Sequence, residues 1–243
     1  MSALISGRKL APIPTSADWL TALPSALGVM GNDSLGDCTC AGLGHAIQVW
    51  SGNAEGAVIT IPDSDVLEIY EDACGYVPGD PSTDQGGVEQ DVLAWAHKTG
   101  IPTPGGPDKI AAFVEIDVRN LHDICRGINE FGLVYIGFNV PAYLMANGPP
   151  QVWDVNPVGD QTIVGGHCVV LPSYVFTLAP NGYISEATFG LISWGEKFAM
   201  TAAFFRAFVD EAYAVADAHW IEATGVDPLG MTLAQLEAQM RAL

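Results

Sequence analysis

Two residues have the types and settings that nucleophilic catalysis needs. Cys38 follows Gly36-Asp37 and opens the run CTCAGLGHAIQVW, residues 38–50, in which small and apolar residues recur at helical spacing. A thiol attacks as its thiolate, and the positive end of a helix dipole together with an adjacent imidazolium lowers a thiol pKa by several units. The matching base has to come from a distant segment. His167 fits, because Gly165-Gly166 before it allow close backbone approach and Val169-Val170-Leu171 after it read as a buried strand. Cys38 and His167 are the candidate nucleophile and general base, and the chemistry is addition of sulfur to a carbonyl.

The remaining reactive side chains have plainer readings. Cys40 and Cys168 stand beside the candidate residues but point elsewhere on their elements, so they read as core. His45, seven residues after Cys38, is a packed or rim histidine, and His97, His122 and His219 take surface or capping roles. Asp37 is either a solvated loop carboxylate or a group that favours a basic residue at the cleft. The five cysteines are odd in number and form no paired CxxC knuckles, so neither a disulfide framework nor a structural zinc is expected, and no metal or cofactor is called for.

Those residues need elements to position them. Prolines 12, 14 and 24 keep the first thirty residues extended. A buried helix follows from Cys38, and a second is capped by Asp63-Ser64-Asp65. PGDPSTDQGG reads as a loop, and a third helix over 88–99 puts Val88, Val92, Trp95 and Ala96 on one face. A short helix at 119–130 precedes the β-rich LVYIGFNV, closed by Pro141. HCVVL, 183–193 and 212–221 read as further strands. Helices dominate the first half and strands the second, as in an α+β fold. The chain divides into a domain over 1–224 and a linker with an amphipathic helix over 225–243. In that helix Thr232 and Gln235 fit a capping box and Leu233, Leu236, Met240 and Leu243 form a stripe.

Nine Lys and Arg against 28 Asp and Glu give a formal charge of −19, which repels nucleic acid and anionic membranes and attracts basic partners or substrates. Apolar runs are too short for a membrane span. No apolar h-region follows the basic residues of MSALISGRKLAPIP, so no secretory signal is expected.

Asn32-Asp33-Ser34-Leu35-Gly36-Asp37-Cys38 resembles the stretch of papain-like (clan CA) cysteine peptidases in which a Gln stands six residues before a Gly-x-Cys nucleophile. GGHCVVLPSY, with His167 129 residues after Cys38, resembles their histidine strand. Ser193-Trp194-Gly195 resembles part of their Asn-Ser-Trp-Gly turn, and Gln85-Gly86-Gly87 before a helix ending Thr99-Gly100-Ile101 is similar to another of their segments. These landmarks span roughly residues 12–221. The resemblance implies a two-lobed fold, a helical lobe followed by an antiparallel β lobe, in which a Cys38–His167 dyad cleaves a peptide or amide. It also implies oxyanion binding by Asn32 and support of the cleft by Trp194. The pattern departs at Ile192, where the family carries the Asn that orients the imidazole, and at Asn32, one methylene shorter than Gln. GNDSLGDCTCAGLGHAIQ, GGHCVVL and SWGEKFAMTAAFFRAFVDEAYAV are similar to papain-like proteins encoded in bacteriophage and prophage genomes. That similarity implies a host-cytoplasmic or virion location. It also carries an alternative function, a weakly active or inactive decoration, head or tail component. Such a component would meet other virion subunits through the C-terminal helix or the acidic surface.

Overall fold

The computed structural model describes residues 12–225 together with Thr232 and Ala234. The stripe expected on a C-terminal helix lies outside the described residues.

The first half supplies helices α1 (Cys38–Ala54), α2 (Asp63–Cys74) and α3 (Glu89–Lys98), with one turn of 3-10 helix at Pro81–Thr83 inside the expected loop. Helix α1 is buried continuously from Thr39 to Gly52, because most of its residues are small or apolar and the polar His45 and Gln48 are hydrogen-bonded. At Gly42 a Cβ would come within 2.9 Å of the Tyr135 ring, so glycine there sets how closely the helix lies on the sheet. Helix α3 begins one residue later than its apolar pattern suggests. Val88 is its N-cap and exposed, and the inward face is Val92, Leu93 and Ala96.

One sheet runs through the molecule in the order β2 (Ile110–Glu115), β8 (Val209–Asp217), β3 (Val134–Pro141), β5 (Ile163–Leu178), β6 (Ile184–Ser193), β7 (Glu196–Thr201), β4 (Val152–Trp153), with β1 (Ser16–Asp18) paired to β5. All its pairings are antiparallel except β4 with β7. Side-chain alternation divides the interior into two cores. Tyr135 on β3, Cys168 and Val170 on β5 and Ile192 on β6 face the core built on α1, α2 and α3. Val134, Ile136 and Phe138, with Val169, Leu171 and Leu191, face an aromatic-rich core covered by α4 (Leu121–Phe131) and α6 (Ala202–Phe208), the latter supplying Phe204, Phe205 and Phe208. Each such large side chain contributes about 1.5–3 kcal/mol by leaving water. The short α5 (Ala142–Met145) follows β3 directly. The architecture is the expected α+β arrangement, with helices packed on both faces of a largely antiparallel sheet.

Three local expectations change. The strand expected over 212–221 spans Val209–Asp217, and helix α7 (Ala218–Thr224) follows because the Asp217 side chain accepts from the Trp220 backbone N–H and caps it. The histidine strand is far longer than HCVVL. Strands β2 and β7 and helix α6 had no sequence expectation; for α6, TAAFFRAF is apolar but for Thr201 and Arg206 and carries no period that separates strand from helix.

Candidate active site

Cys38 is the first residue of α1 and is half-buried. The backbone N–H of Cys168, next to His167 on β5, is near enough to the sulfur to favour its thiolate. The Tyr135 hydroxyl donates to the Thr39 carbonyl at 2.6 Å and ties the start of the helix to β3. Cys38, His167 and Asn32 line one cavity of about 670 Å³, with Phe138 and several carboxylates on its walls. The electrostatics differ from the sequence expectation of a depressed thiol pKa. Burial pushes the Cys38 thiol up to about 11, the N–H of Cys168 opposes this, and the negative charges of Glu89 and Asp37 add to the rise. A helix dipole supplies at most about 2 kcal/mol and does not outweigh burial beside two acids.

His167 is 8% exposed. Its Nε2 stands 2.7 Å from Ser193 Oγ, the Trp194 ring stacks on it at 4.5 Å and 10°, and Phe138 meets it edge-on at 5.7 Å. With the ring proton on Nε2, Ser193 accepts it and Nδ1 keeps its lone pair for the cavity. Burial, with neighbouring His45 adding, lowers the imidazole pKa to about 4. Thiol and imidazole are therefore both neutral near pH 7.

Ser193 is the residue that sequence reasoning missed. Ile192 pairs with Val170, is fully buried, and faces the helical core, whereas Ser193, next along β6, faces the imidazole. The site thus has an orienting group one position after the place where the Asn was sought. The two-residue turn from β6 to β7 has Trp194 at φ 47° and Gly195 at φ 75°, as a type I′ hairpin requires. Left-handed backbone costs a tryptophan roughly 1–2 kcal/mol, and here that conformation lays the indole over His167. An indole next to a hydroxyl, immediately before a glycine, was the available signal.

Asn32 lies in the loop before α1, and its amide donates to the Leu35 carbonyl at 3.2 Å and to Asp37 Oδ1 at 3.1 Å. Both amide hydrogens are thereby engaged within the loop. Asp37 is 1% exposed, so it is not a solvated loop carboxylate. Burial raises its pKa to about 7, the Asn32 bond works against this, and Oδ2 has no partner. Gly165 and Gly166 have no atom within 4 Å of where a Cβ would stand. Their role is therefore to leave the cavity mouth open rather than to admit a close backbone.

The other singled-out residues lie outside the cavity lining. His45 is buried with Nδ1 3.0 Å from Gln48 Oε1, His97 Nδ1 stands 2.9 Å from the Ile110 carbonyl, His122 Nε2 lies near the Gly182 carbonyl, and His219 pairs with Glu55. Cys40 and Cys168 are buried, and Cys40 contacts Cys74, sulfur to sulfur, at 3.9 Å.

No family model and no curated protein matches the sequence. Solved structures do match. Xylellain, a cysteine protease from Xylella fastidiosa, superposes with a TM-score of 0.61 at 18% identity over 88% of each chain. The fold is papain-like. Digestive procathepsin L 3 from the larval midgut of Tenebrio molitor gives 0.61 at 12% identity, covering 86% of this chain and 71% of its own. The bromelain protease from Ananas comosus, in complex with the E64 inhibitor, gives 0.55 at 13% identity, covering 84% and 99%.

Proposed function

We propose that the chain is a papain-like thiol hydrolase acting on peptide or amide bonds. The observation that carries this reading is a half-buried cysteine at a helix N-terminus sharing one cavity with a histidine whose far nitrogen is bonded by Ser193 and whose face is covered by Trp194. Cys38 attacks the carbonyl carbon while His167 Nδ1 takes the thiol proton and then returns it to the leaving amine, and water hydrolyses the thioester. The Cys38 backbone N–H, a free donor in the first turn of α1, holds the oxyanion. Asn32 joins it if its amide turns from Asp37. The substrate is the acyl chain lying along the cavity between Phe138 and the Gly165-Gly166 edge.

The test is labelling by a peptidyl acyloxymethyl ketone, mapped by mass spectrometry. Cys38 is expected to label selectively, and His167→Ala to abolish that selectivity. Cys74, whose bond with Cys40 lowers its own pKa, is the competing thiol. Labelling of Cys74 first, or an unchanged Cys38 rate in His167→Ala, overturns the assignment.

A second reading is a papain-fold structural component, the virion role implied by the phage resemblance. The elevated Cys38 pKa favours it, because a thiol buried beside two acids is a poor resting nucleophile. Stoichiometric presence in purified particles, with no labelling of Cys38, would support that reading.

A further inference from the structure

The cavity that holds Cys38 and His167 is lined by Asp84, Glu89, Asp210 and Glu211 and by no lysine or arginine. Two of these carboxylates have structural duties. Asp84 Oδ1 accepts from the Gly36 backbone N–H at 2.9 Å and from the Tyr70 hydroxyl at 2.7 Å, and Asp210 Oδ2 accepts from the Asn139 amide at 2.7 Å.

Glu89 and Glu211 differ. Glu89 is the first residue of α3 and Glu211 projects from β8, and the two carboxyl groups hydrogen-bond to each other. They meet above Gly137 on β3. A Cβ there would lie 2.5 Å from Glu89 Oε1 and 3.1 Å from Glu211 Oε1, so only glycine leaves the space they occupy. The Tyr213 hydroxyl donates to Glu211 Oε2 at 2.8 Å and fixes that side chain. The ion pairs among the described residues, Arg119–Asp117, Arg126–Glu130 and His219–Glu55, all lie elsewhere. Two touching carboxyl groups repel when ionised, and the Tyr213 hydroxyl and the first turn of α3 supply neutral donors but no positive side chain to offset that repulsion. His167, 8% exposed and with Nε2 engaged by Ser193 Oγ, lines the same cavity. The pair therefore sits in a compartment that already has a group waiting for a substrate.

We infer that Glu89 and Glu211 form a subsite for a cationic substrate side chain, lysine or arginine, held beside the bond that Cys38 attacks. This rests on the proposed hydrolase reading and names its substrate class. The ammonium or guanidinium supplies the missing counter-charge and takes the place of the shared proton. Phe138 and Val164 on the cavity wall cover the aliphatic stem. The net charge of −19 draws the same class of peptide toward the molecule.

The site also dictates a pH response. Glu89 faces Glu211 and Asp210 from β8, Tyr213 from the same strand, Cys38 and Cys168 beside it, and Tyr135 from β3. Burial first, and the bond to Glu211 second, raise its pKa from 4.5 to about 8. Below that pH the pair holds a proton that a cation must displace. A lysine side chain stays charged to about pH 10, so cation binding strengthens as pH rises from 6.5 through 8.

Binding is best read without turnover, by calorimetric titration of the Cys38→Ser protein with capped tripeptide amides that differ at one residue, Arg, Lys, norleucine or Glu. Arg and Lys peptides are expected to bind about 10-fold or more tighter than norleucine, with a larger ratio at pH 8.5 than at pH 6.5. Glu89→Gln/Glu211→Gln should reduce the ratio to near unity, and the thermal melt of that variant verifies its fold. The isosteric single variants provide the same readout should the double variant fail to fold. Equal binding of norleucine, selectivity that survives the glutamines, or no saturable binding of any peptide at millimolar concentration overturns the subsite. Labelling of Cys38 by a neutral peptidyl probe decides the hydrolase reading separately.

Discussion

Ser193→Ala removes one oxygen from the site and isolates what holds the imidazole. Wild-type His167 has a single side-chain bond, Nε2 to Ser193 Oγ at 2.7 Å, in a position 8% exposed. Without the hydroxyl, a buried ring nitrogen loses its partner, at a cost of about 1–3 kcal/mol. For a domain of this size that lowers the melting temperature by about 2–4 °C per kcal/mol. The kinetic effect is set by how far the ring can then turn. Trp194 stacked on one face and Phe138 at the edge still confine it. The loss is therefore that of one neutral hydrogen bond, about 0.5–1.5 kcal/mol, or about 2- to 13-fold in the rate at which a peptidyl ketone labels Cys38. Ser193→Thr keeps the hydroxyl and should recover most of the rate. The rate constants are read by intact mass against time, alongside melting curves of the same samples. Ser193→Ala labelling at the wild-type rate, or Ser193→Thr labelling no faster than the alanine variant, would refute the positioning role.

Two further outcomes follow from buried polar chemistry. Ile192→Asn puts an amide in the helical core opposite Val170, away from His167. It should lower stability by about 3 kcal/mol or more in urea titrations and give no gain in Cys38 labelling; a gain would return the orienting role to position 192. Asp37 has a folded pKa of about 7 against an ordinary 3.8, so its stabilising contribution is full below about pH 4 and lost as pH rises through 7. Asp37→Asn should flatten that part of the stability profile measured by urea unfolding between pH 4 and 8, and an unchanged slope would show that Asp37 does not titrate there.

The two ends of the candidate dyad were legible in the sequence because their signals are local. Gly36-Asp37 followed by a run of small and apolar residues specifies a buried helix starting at Cys38 wherever that helix is placed. Val169-Val170-Leu171 likewise specifies a strand beside His167. The alternation that sends Tyr135 and Val170 to one core and Ile136 and Leu171 to the other was also implicit in strand periodicity. What the sequence could not supply depends on which strand lies beside which. Ser193 became the partner of His167 because the register of β5 with β6 turns Ile192 inward to the helical core. That register comes from long-range hydrogen bonding, not from any property of Ile-Ser-Trp. Gly165 and Gly166 looked like sites of close approach, yet glycine permits both contact and open space, and only the packing chose the latter. The sign of the Cys38 shift reversed for the same reason. A helix dipole can be read from a helix start, whereas burial and the charges of Asp37 and Glu89 exist only once the chain has folded around the sulfur. Glu89 and Glu211 stand 122 residues apart in sequence, and their meeting above Gly137 was decided by tertiary structure alone.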